Sequence, residues 1–482
     1  MHVIDMISFW AKAVPQQPAI MLPDMTWDYK TLAEAIESIS ARIARYDLGK
    51  AEPVAVSIRS EPKFLAVCLA LLRLGYTVAP ISPGLFPMLR TIGINNVISQ
   101  RNALMLSGGK NIYYEDTWLS PTDQTPLPVA NSSNYGDLIF FTSGTTGIPK
   151  KILEKREATL ERFKISIFSG LAHHARFLVI PGLGSHFGFN LACDVLRAGK
   201  TLSFSMSLNE RTLWMINAFG IEHIDASVHQ ALALSELAEK HPGYRLDQLK
   251  TIRIGGASPS PDLIKRIQNR LCREVIVIYA STEGSQAATA RYEVIEHIPD
   301  AVGFIVPWAE VEIVDDSNNT LPPETEGSVR YRTPYFQKNR DSNNGAEWFY
   351  PGDLGRITAN RVLCITGRSD DVINRGGTKF SAAAVERELM RFPGLKDAAL
   401  CGVRGLSELM QVWLAVVPGE NFDEAELRDF LKTDPTLAEK LRTDIDRVAY
   451  IDKIPRGDLG KIKRHELRDA LLQSAKEAPH QA

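Results

Sequence analysis

The chain is 482 residues long, 44% hydrophobic and 23% charged, which fits an ordinary water-soluble globular protein with room for two or more domains. Its 55 basic and 57 acidic side chains leave a net charge of -2, so no global field draws it to nucleic acid and any affinity for anions must be local. Five scattered cysteines without a Cys-x-x-Cys or Cys/His cluster argue against a disulfide framework or a zinc site, and fit a reducing cytoplasm. At the start of the chain, Asp5 and the lack of a basic stretch before an apolar core argue against a secretory signal. A strand is expected over residues 53–58. The most apolar window, 64–80, is cut by Arg73 and is too short to span a bilayer; it reads as a buried helix over 64–74 turned at Gly75 into a short strand. Strands over 137–141, 176–180 and 274–278 then alternate with helices over 161–168 and 262–269. Such alternation predicts an α/β fold with mainly parallel sheet, and ligands in the loops that follow the strands. Past about residue 300, alternating strand patterns over 309–314 and 327–332 and the turn cluster Asp315-Asp316-Ser317-Asn318-Asn319 predict a β-rich subdomain. The last hundred or so residues, with helices over 383–391 and 423–432 and strands over 398–403 and 412–417, could fold as a small α+β domain. The polar tail after Lys476 is expected to fray.

The most specific local signal is residues 140–151, FFTSGTTGIPKK. Small hydroxyl residues beside Gly let backbone N–H groups and hydroxyls converge on a polyanion without Cβ obstruction, and the two lysines add positive charge. The Walker spacing does not fit: Gly144 and Gly147 are too close, Pro149 precedes Lys150, and Lys151 stands where a Ser or Thr would hold magnesium. The loop therefore points to nucleotide phosphates of another kind, against the alternative of a Thr-rich surface loop. Four later segments carry chemistry of their own. YASTEG, 279–284, follows the apolar run EVIVI and puts Thr282 and Glu283 at a strand's carboxyl end, where Glu283 can hold Mg²⁺ and Thr282 a phosphate oxygen. Tyr279 offers a flat face for a purine. A capped turn is the alternative. YPGDLGR, 350–356, presents Asp353 between two glycines as an acceptor for both hydroxyls of a ribose, although an Asx-turn is the commoner role of Gly-Asp. GRSDDVINRGGTKF, 367–380, offers Arg368 to the ribose and a polar break at Asp370-Asp371, where an ordinary charged linker is the alternative. IPRGDLGKIKR, 454–464, carries Lys461 on a Gly-rich arm, though a basic tail usually means a solvated surface.

In this order the five motifs closely resemble the adenylate-forming superfamily of acyl- and aryl-CoA synthetases, peptide-synthetase adenylation domains and luciferases, over about residues 9–467. The resemblance implies a large N-terminal domain, 1–369, of α/β subdomains plus a β-rich subdomain, and a small mobile C-terminal α+β lid, 370–482, hinged at Asp370. Thr142, Ser143, Gly144, Thr145, Thr146 and Gly147, with Lys150, would hold the β- and γ-phosphates of ATP. Thr282 would bind the α-phosphate and Glu283 the Mg²⁺; Tyr279 and the Gly255-Gly256-Ala257 turn would frame adenine; Asp353 and Arg368 would hold the ribose. Lys461 matches the catalytic lysine that bridges the acyl carboxylate and the α-phosphate, and Gly376 and Gly377 would face a pantetheine arm. The implied reaction is attack of a carboxylate on the α-phosphorus of ATP with loss of pyrophosphate, then transfer of the acyl group to a thiol with loss of AMP. Between these steps, family members rotate the small domain about the hinge.

The acyl pocket is expected between the strand ending at Ile180 and the Gly-Gly-Ala turn. Residues 181–190, PGLGSHFGFN, resemble the family's pocket-lining segment, with His186 near the substrate carboxylate or, alternatively, as a hydrogen-bonded structural histidine. The same glycines fail the dinucleotide fingerprint. Amino-acid-activating relatives carry an aspartate just after the aromatic of this segment, whereas Phe187 here is followed by Gly188 and Phe189. An unpaired buried ammonium is costly, so a neutral-tailed acid, aliphatic or aromatic, is expected. The expected acceptor is CoA; the alternative is the phosphopantetheine of a carrier protein in trans, with Ser381-Ala382-Ala383-Ala384 standing where many CoA ligases carry a proline. A non-catalytic nucleotide-binding homologue is the reading from a different class, and the retained Lys461, Glu283, Asp353 and phosphate loop argue against it.

Overall fold

Short Val- and Ile-rich strands with helices between them assemble, in a computed structural model, into two large sheets and two small ones. The structure describes residues 1–100, 109–120, 132–142, 149–166, 173–205, 207–256, 259–339, 345–369, 372–375, 378–404, 410–441, 443–456 and 462–477. The first sheet has six strands in the order Asn111–Tyr113, Asn96–Ser99, Val54–Ser57, Val78–Pro80, Leu138–Thr142 and Lys150–Glu154. All its pairs are parallel except the last, which is an antiparallel hairpin. Against it packs the helix Glu61–Arg73, which buries every residue from Phe64 to Leu72 and so explains the unbroken apolar run.

The second sheet has thirteen strands and changes character halfway. Its parallel half runs Glu274–Ser281, Thr251–Gly255, His223–Ser227, Arg176–Val179, Thr201–Phe204 and Pro18–Leu22, with Met25–Asp28 added antiparallel at the edge. From Glu274–Ser281 onwards the pairing is antiparallel, through Ser285–Arg291, Ala301–Ile305, Val362–Arg368, Asp353–Ile357, Gly327–Arg332 and Glu310–Val314. The β-rich region expected past residue 300 thus continues the large sheet. Expected strand and helix centres are met, with ends moved by a few residues. The helix expected over 161–168 begins earlier, as Arg156–Ser166, because the Arg156 and Lys155 amides are satisfied by Asp137 and Asn339, which are remote in sequence.

The smaller domain has a three-stranded sheet, Leu395–Arg404, Met410–Pro418 and Arg447–Tyr450, beside the hairpin Val372–Arg375 and Thr378–Ser381. The helices Ala382–Leu389 and Pro435–Leu441 close one core on one side of the sheet, and Arg464–Glu477 closes another. Asp370, where a hinge is expected, lies outside the described residues. Among the described residues no helix is long and apolar enough to cross a membrane.

Candidate active site

The parallel strands of both sheets end where the expected motifs begin, which is where open α/β sheets bind ligands. Strand Leu138–Thr142 leads to the loop expected to hold phosphates, and Lys150–Glu154 returns beside it with Thr142 paired to Lys150. Thr142 is half-buried at one mouth of the loop and Lys150 exposed at the other. Ser143, Gly144, Thr145, Thr146 and Gly147 lie outside the described residues, as do Ala257, Gly376, Gly377 and Lys461. In the second sheet, strand Glu274–Ser281 delivers Thr282 and Glu283 at its carboxyl end, as the sequence implies. Lys150 Nζ is 3.2 Å from Glu283 Oε1, so residues 133 positions apart meet across the two sheets. The turn holding Glu283 is tight: Ser281 Oγ accepts from the Gly284 amide at 2.8 Å and lies 2.7 Å from the Tyr331 hydroxyl. A Cβ on Gly284 would run into the Tyr331 ring.

Asp353, Arg368 and Tyr279 form a second group. Asp353 opens a strand directly opposite Arg368, whose Nη1 donates to Oδ1 at 3.0 Å, and the Tyr279 hydroxyl donates to Oδ2. The carboxylate expected to stand displayed between two glycines is therefore buried and already held from both sides, because its strand neighbour and the adjacent motif supply donors. Burial first, and then the charge of Asp353, push the Tyr279 hydroxyl well above its ordinary pKa, so it keeps the proton it donates. Gly255 ends its strand, with the side chains of Ile278 and Phe187 beside it, and Gly256 follows in a left-handed turn, exposed.

His186 is the first residue of the helix His186–Arg197, capped by Ser185, whose Oγ accepts from the Gly188 amide. Its Nε2 lies 3.1 Å from Oε2 of Glu154, a residue the motifs do not single out. Glu154 is fully buried among Thr159, Asn190 and Tyr335, with Arg162 beyond, itself paired with Asp194 at 2.7 Å. Burial pushes the Glu154 carboxyl up, but the hydrogen bond and charge of His186, the charge of Arg162 and the Thr159 hydroxyl outweigh it and bring the pKa down to about 2. The sequence does carry a signal for this residue: strand alternation puts Glu154 on the same buried face as Ile152, where a charge is out of place unless paired.

Two large sheets that meet at Lys150 and Glu283, with a small α+β domain beyond, are the architecture of an adenylate-forming enzyme. The chain belongs to the AMP-binding enzyme family, whose profile matches residues 8–338, and is an adenylate-forming acid ligase. It is 24% identical, over 97% of its length and 93% of the relative's, to the vibriobactin-specific 2,3-dihydroxybenzoate-AMP ligase of Vibrio cholerae. To the medium-chain fatty-acid–CoA ligase of Escherichia coli it is 25% identical over 73% of its length and 64% of the relative's. Among solved structures, O-succinylbenzoate coenzyme A synthetase (MenE) from Bacillus subtilis, in complex with ATP and magnesium ion, superposes with a TM-score of 0.82 at 20% identity, covering 96% of this chain and 99% of that one. The amide bond synthetase McbA from Marinactinospora thermotolerans gives 0.78 at 20% identity, covering 97% and 99%. These two structures share the fold.

Proposed function

We propose that the chain activates a neutral-tailed carboxylic acid with ATP, releasing pyrophosphate, and passes the acyl group to the thiol of CoA. The observation that carries this reading is the meeting of Lys150 with Glu283, which puts an anion-holding ammonium and a hard carboxylate side by side at the carboxyl ends of two sheets. In this reading Lys150 and the loop 142–147 hold the β- and γ-phosphates, Thr282 the α-phosphate, and Asp353 with Arg368 the ribose. Tyr279 and Gly255 to Ala257 frame adenine, and domain 370–482 swings about Asp370. Glu283 fits a magnesium site, since its carboxylate already carries a cation against it. Bound Mg²⁺ supplies charge neutralisation and orientation of the phosphates. A single protein carboxylate is enough for a metal held largely by phosphates and water, and among the described residues no cluster of three or more His, Cys, Asp or Glu side chains offers a denser site.

The residue types follow from the chemistry. A carboxylate is a poor acyl donor because its leaving group is poor, so it first displaces pyrophosphate from the α-phosphorus. Negative charge spreads over the transferring phosphoryl oxygens, and catalysis is positioning plus electrostatic stabilisation, with Lys461 as the key charge on the attacking side. Lys461→Ala should slow acyl-adenylate formation about a hundredfold or more. It should spare thioester formation from added acyl-adenylate, and an equal fall in both half-reactions would overturn the two-step assignment.

Loading of a carrier-protein phosphopantetheine is the second reading. The relatives leave it open, since the chain matches a 2,3-dihydroxybenzoate-AMP ligase and a salicylyl-CoA synthase / salicylate adenylyltransferase each over 97% of its length. The missing proline weighs little between them: Ser381 Oγ accepts from the Ala384 amide and so starts the helix Ala382–Leu389, as a proline at its first position also would. Pyrophosphate exchange across a panel of carboxylic acids tests activation, and exchange with no acid would sink it. The positive acid, offered CoA or a phosphopantetheinylated carrier protein, then identifies the acceptor by which thioester forms.

A further inference from the structure

The strand that leaves the phosphate loop at Lys150 ends on Glu154, and the motifs give this carboxylate no part in the reaction. A fully buried charge is costly unless paired, so its partners are informative. Oε1 accepts from the Thr159 hydroxyl at 2.6 Å and lies 3.8 Å from Arg162 Nε. Oε2 lies 3.1 Å from His186 Nε2, 3.2 Å from Asn190 Nδ2 and 3.3 Å from the Tyr335 hydroxyl. A carboxylate can only accept, so a bare Nε2 at that distance would set lone pair against lone pair. Nε2 of His186 therefore carries a proton, and Nδ1 is the ring atom left to meet a ligand; Nδ1 has no hydrogen-bond partner among the described residues. The Phe140 ring, edge-on at 5.1 Å, further limits how the imidazole can turn. The Tyr335 hydroxyl also lies 3.2 Å from the Thr282 carbonyl, so one hydroxyl ties Glu154 to the segment that carries Glu283.

We propose that Glu154 is a positioning residue: by holding Nε2–H it fixes the tautomer and orientation of His186, so that Nδ1 is presented to the carboxylate of the acid substrate. The contact to the substrate is then a hydrogen bond from Nδ1–H, donated without transfer of the proton so that the carboxylate stays ionised for its attack, with Glu154 balancing the charge of the doubly protonated ring. The proposal rests on the function proposed above for its substrate, but its geometry can be tested without one.

Imidazole ¹⁵N NMR on the intact protein, with His186 assigned by its loss in His186→Asn, should show Nε2 protonated at high pH; a neutral ring protonated on Nδ1 would overturn the proposal. In pyrophosphate exchange, Glu154→Gln keeps the shape but removes the charge. It should raise KM for the acid about tenfold to a hundredfold, and leave KM for ATP within about twofold. His186→Asn should do the same, and the double variant should be no worse than His186→Asn alone. Additive effects, or an equal rise in KM for ATP, would overturn it. If the wild-type protein exchanges with no acid, the functional reading fails while the NMR result still judges the hold of Glu154 on His186. The same NMR result decides the matter if Glu154→Gln does not fold.

Discussion

Lys150 and Glu283 meet with the lysine side chain 62% exposed and the glutamate 14%, so solvent screens the pair and it adds at most about 1 kcal/mol to stability. A bond that weak is easily exchanged for a phosphate on one side and a cation on the other, as a ligand site requires. His2 is a buried charge problem of the opposite kind. It caps the first helix, its Nδ1 accepting from the Ile4 amide at 3.4 Å, and it is buried against Tyr135 and Phe163. Burial first, and then the α-amino group, Arg156 and Arg162, bring its pKa from 6.5 down to about 3. The folded state therefore keeps the ring neutral where the unfolded chain takes up a proton. Stability is whole above pH 6.5 and is lost as pH falls from there towards 3. Asn is a good helix cap that does not titrate, so His2→Asn should flatten this loss by up to about 1.4 kcal/mol per pH unit. Urea denaturation at several pH values between these limits checks it, and an unchanged slope would remove His2 from the acid sensitivity.

At the scale of elements, the position of His186 depends on how the strand Arg176–Val179 turns into the helix His186–Arg197. The turn folds back over the first helical turn so closely that a Cβ on Gly188 would strike the carbonyl oxygens of Pro181 and Gly182. Gly188→Ala must displace either that backbone or the helix start, costing about 1–3 kcal/mol and moving His186. Gly84→Ala, where a Cβ meets nothing within 4 Å, should change stability by less than about 0.5 kcal/mol. Denaturation curves and KM for the acid on both variants check this, and equal behaviour would show that the turn adapts freely. The same region shows where sequence reading succeeds and where it stops. Alternation located strands such as Gly327–Arg332, and the motifs named residues that the fold brings together, Lys150 with Glu283 and Asp353 with Arg368 and Tyr279. Pattern alone could not tell that Ala301–Ile305 pairs with Val362–Arg368, since nothing local encodes a partner some sixty residues on. It could not give Glu154 its role either, because Thr159, Arg162, His186, Asn190 and Tyr335 reach it from three different helices.

The whole molecule poses a question of coupling, because the proposed reaction needs the small domain to change its place between two chemical steps while keeping both competent. In the present arrangement Arg387, on the helix Ala382–Leu389, donates from Nη1 to Asp300 Oδ1 of the large sheet's loop at 2.7 Å. Asp300 is held in the left-handed region at φ 64, with its carbonyl accepting from the Ile365 amide at 2.9 Å, so the acceptor is fixed before the helix arrives. Nearby, Gly367 lies so close to Ser381 that a Cβ there would strike its hydroxyl. The half-exposed ion pair contributes on the order of 1 kcal/mol to this one arrangement, and rotation about residue 370 would break it. Removing it should therefore shift the balance of domain positions about fivefold, the population change that such an energy represents. Arg387→Ala should change the ratio of the pyrophosphate-exchange rate to the single-turnover rate of acyl transfer by about that factor, lowering one as the other rises. Asp300→Asn, chosen because asparagine tolerates left-handed backbone, should shift the ratio in the same direction, and the double variant should go no further. If both half-reactions fall together in either variant, the pair supports the fold rather than the choice between domain positions.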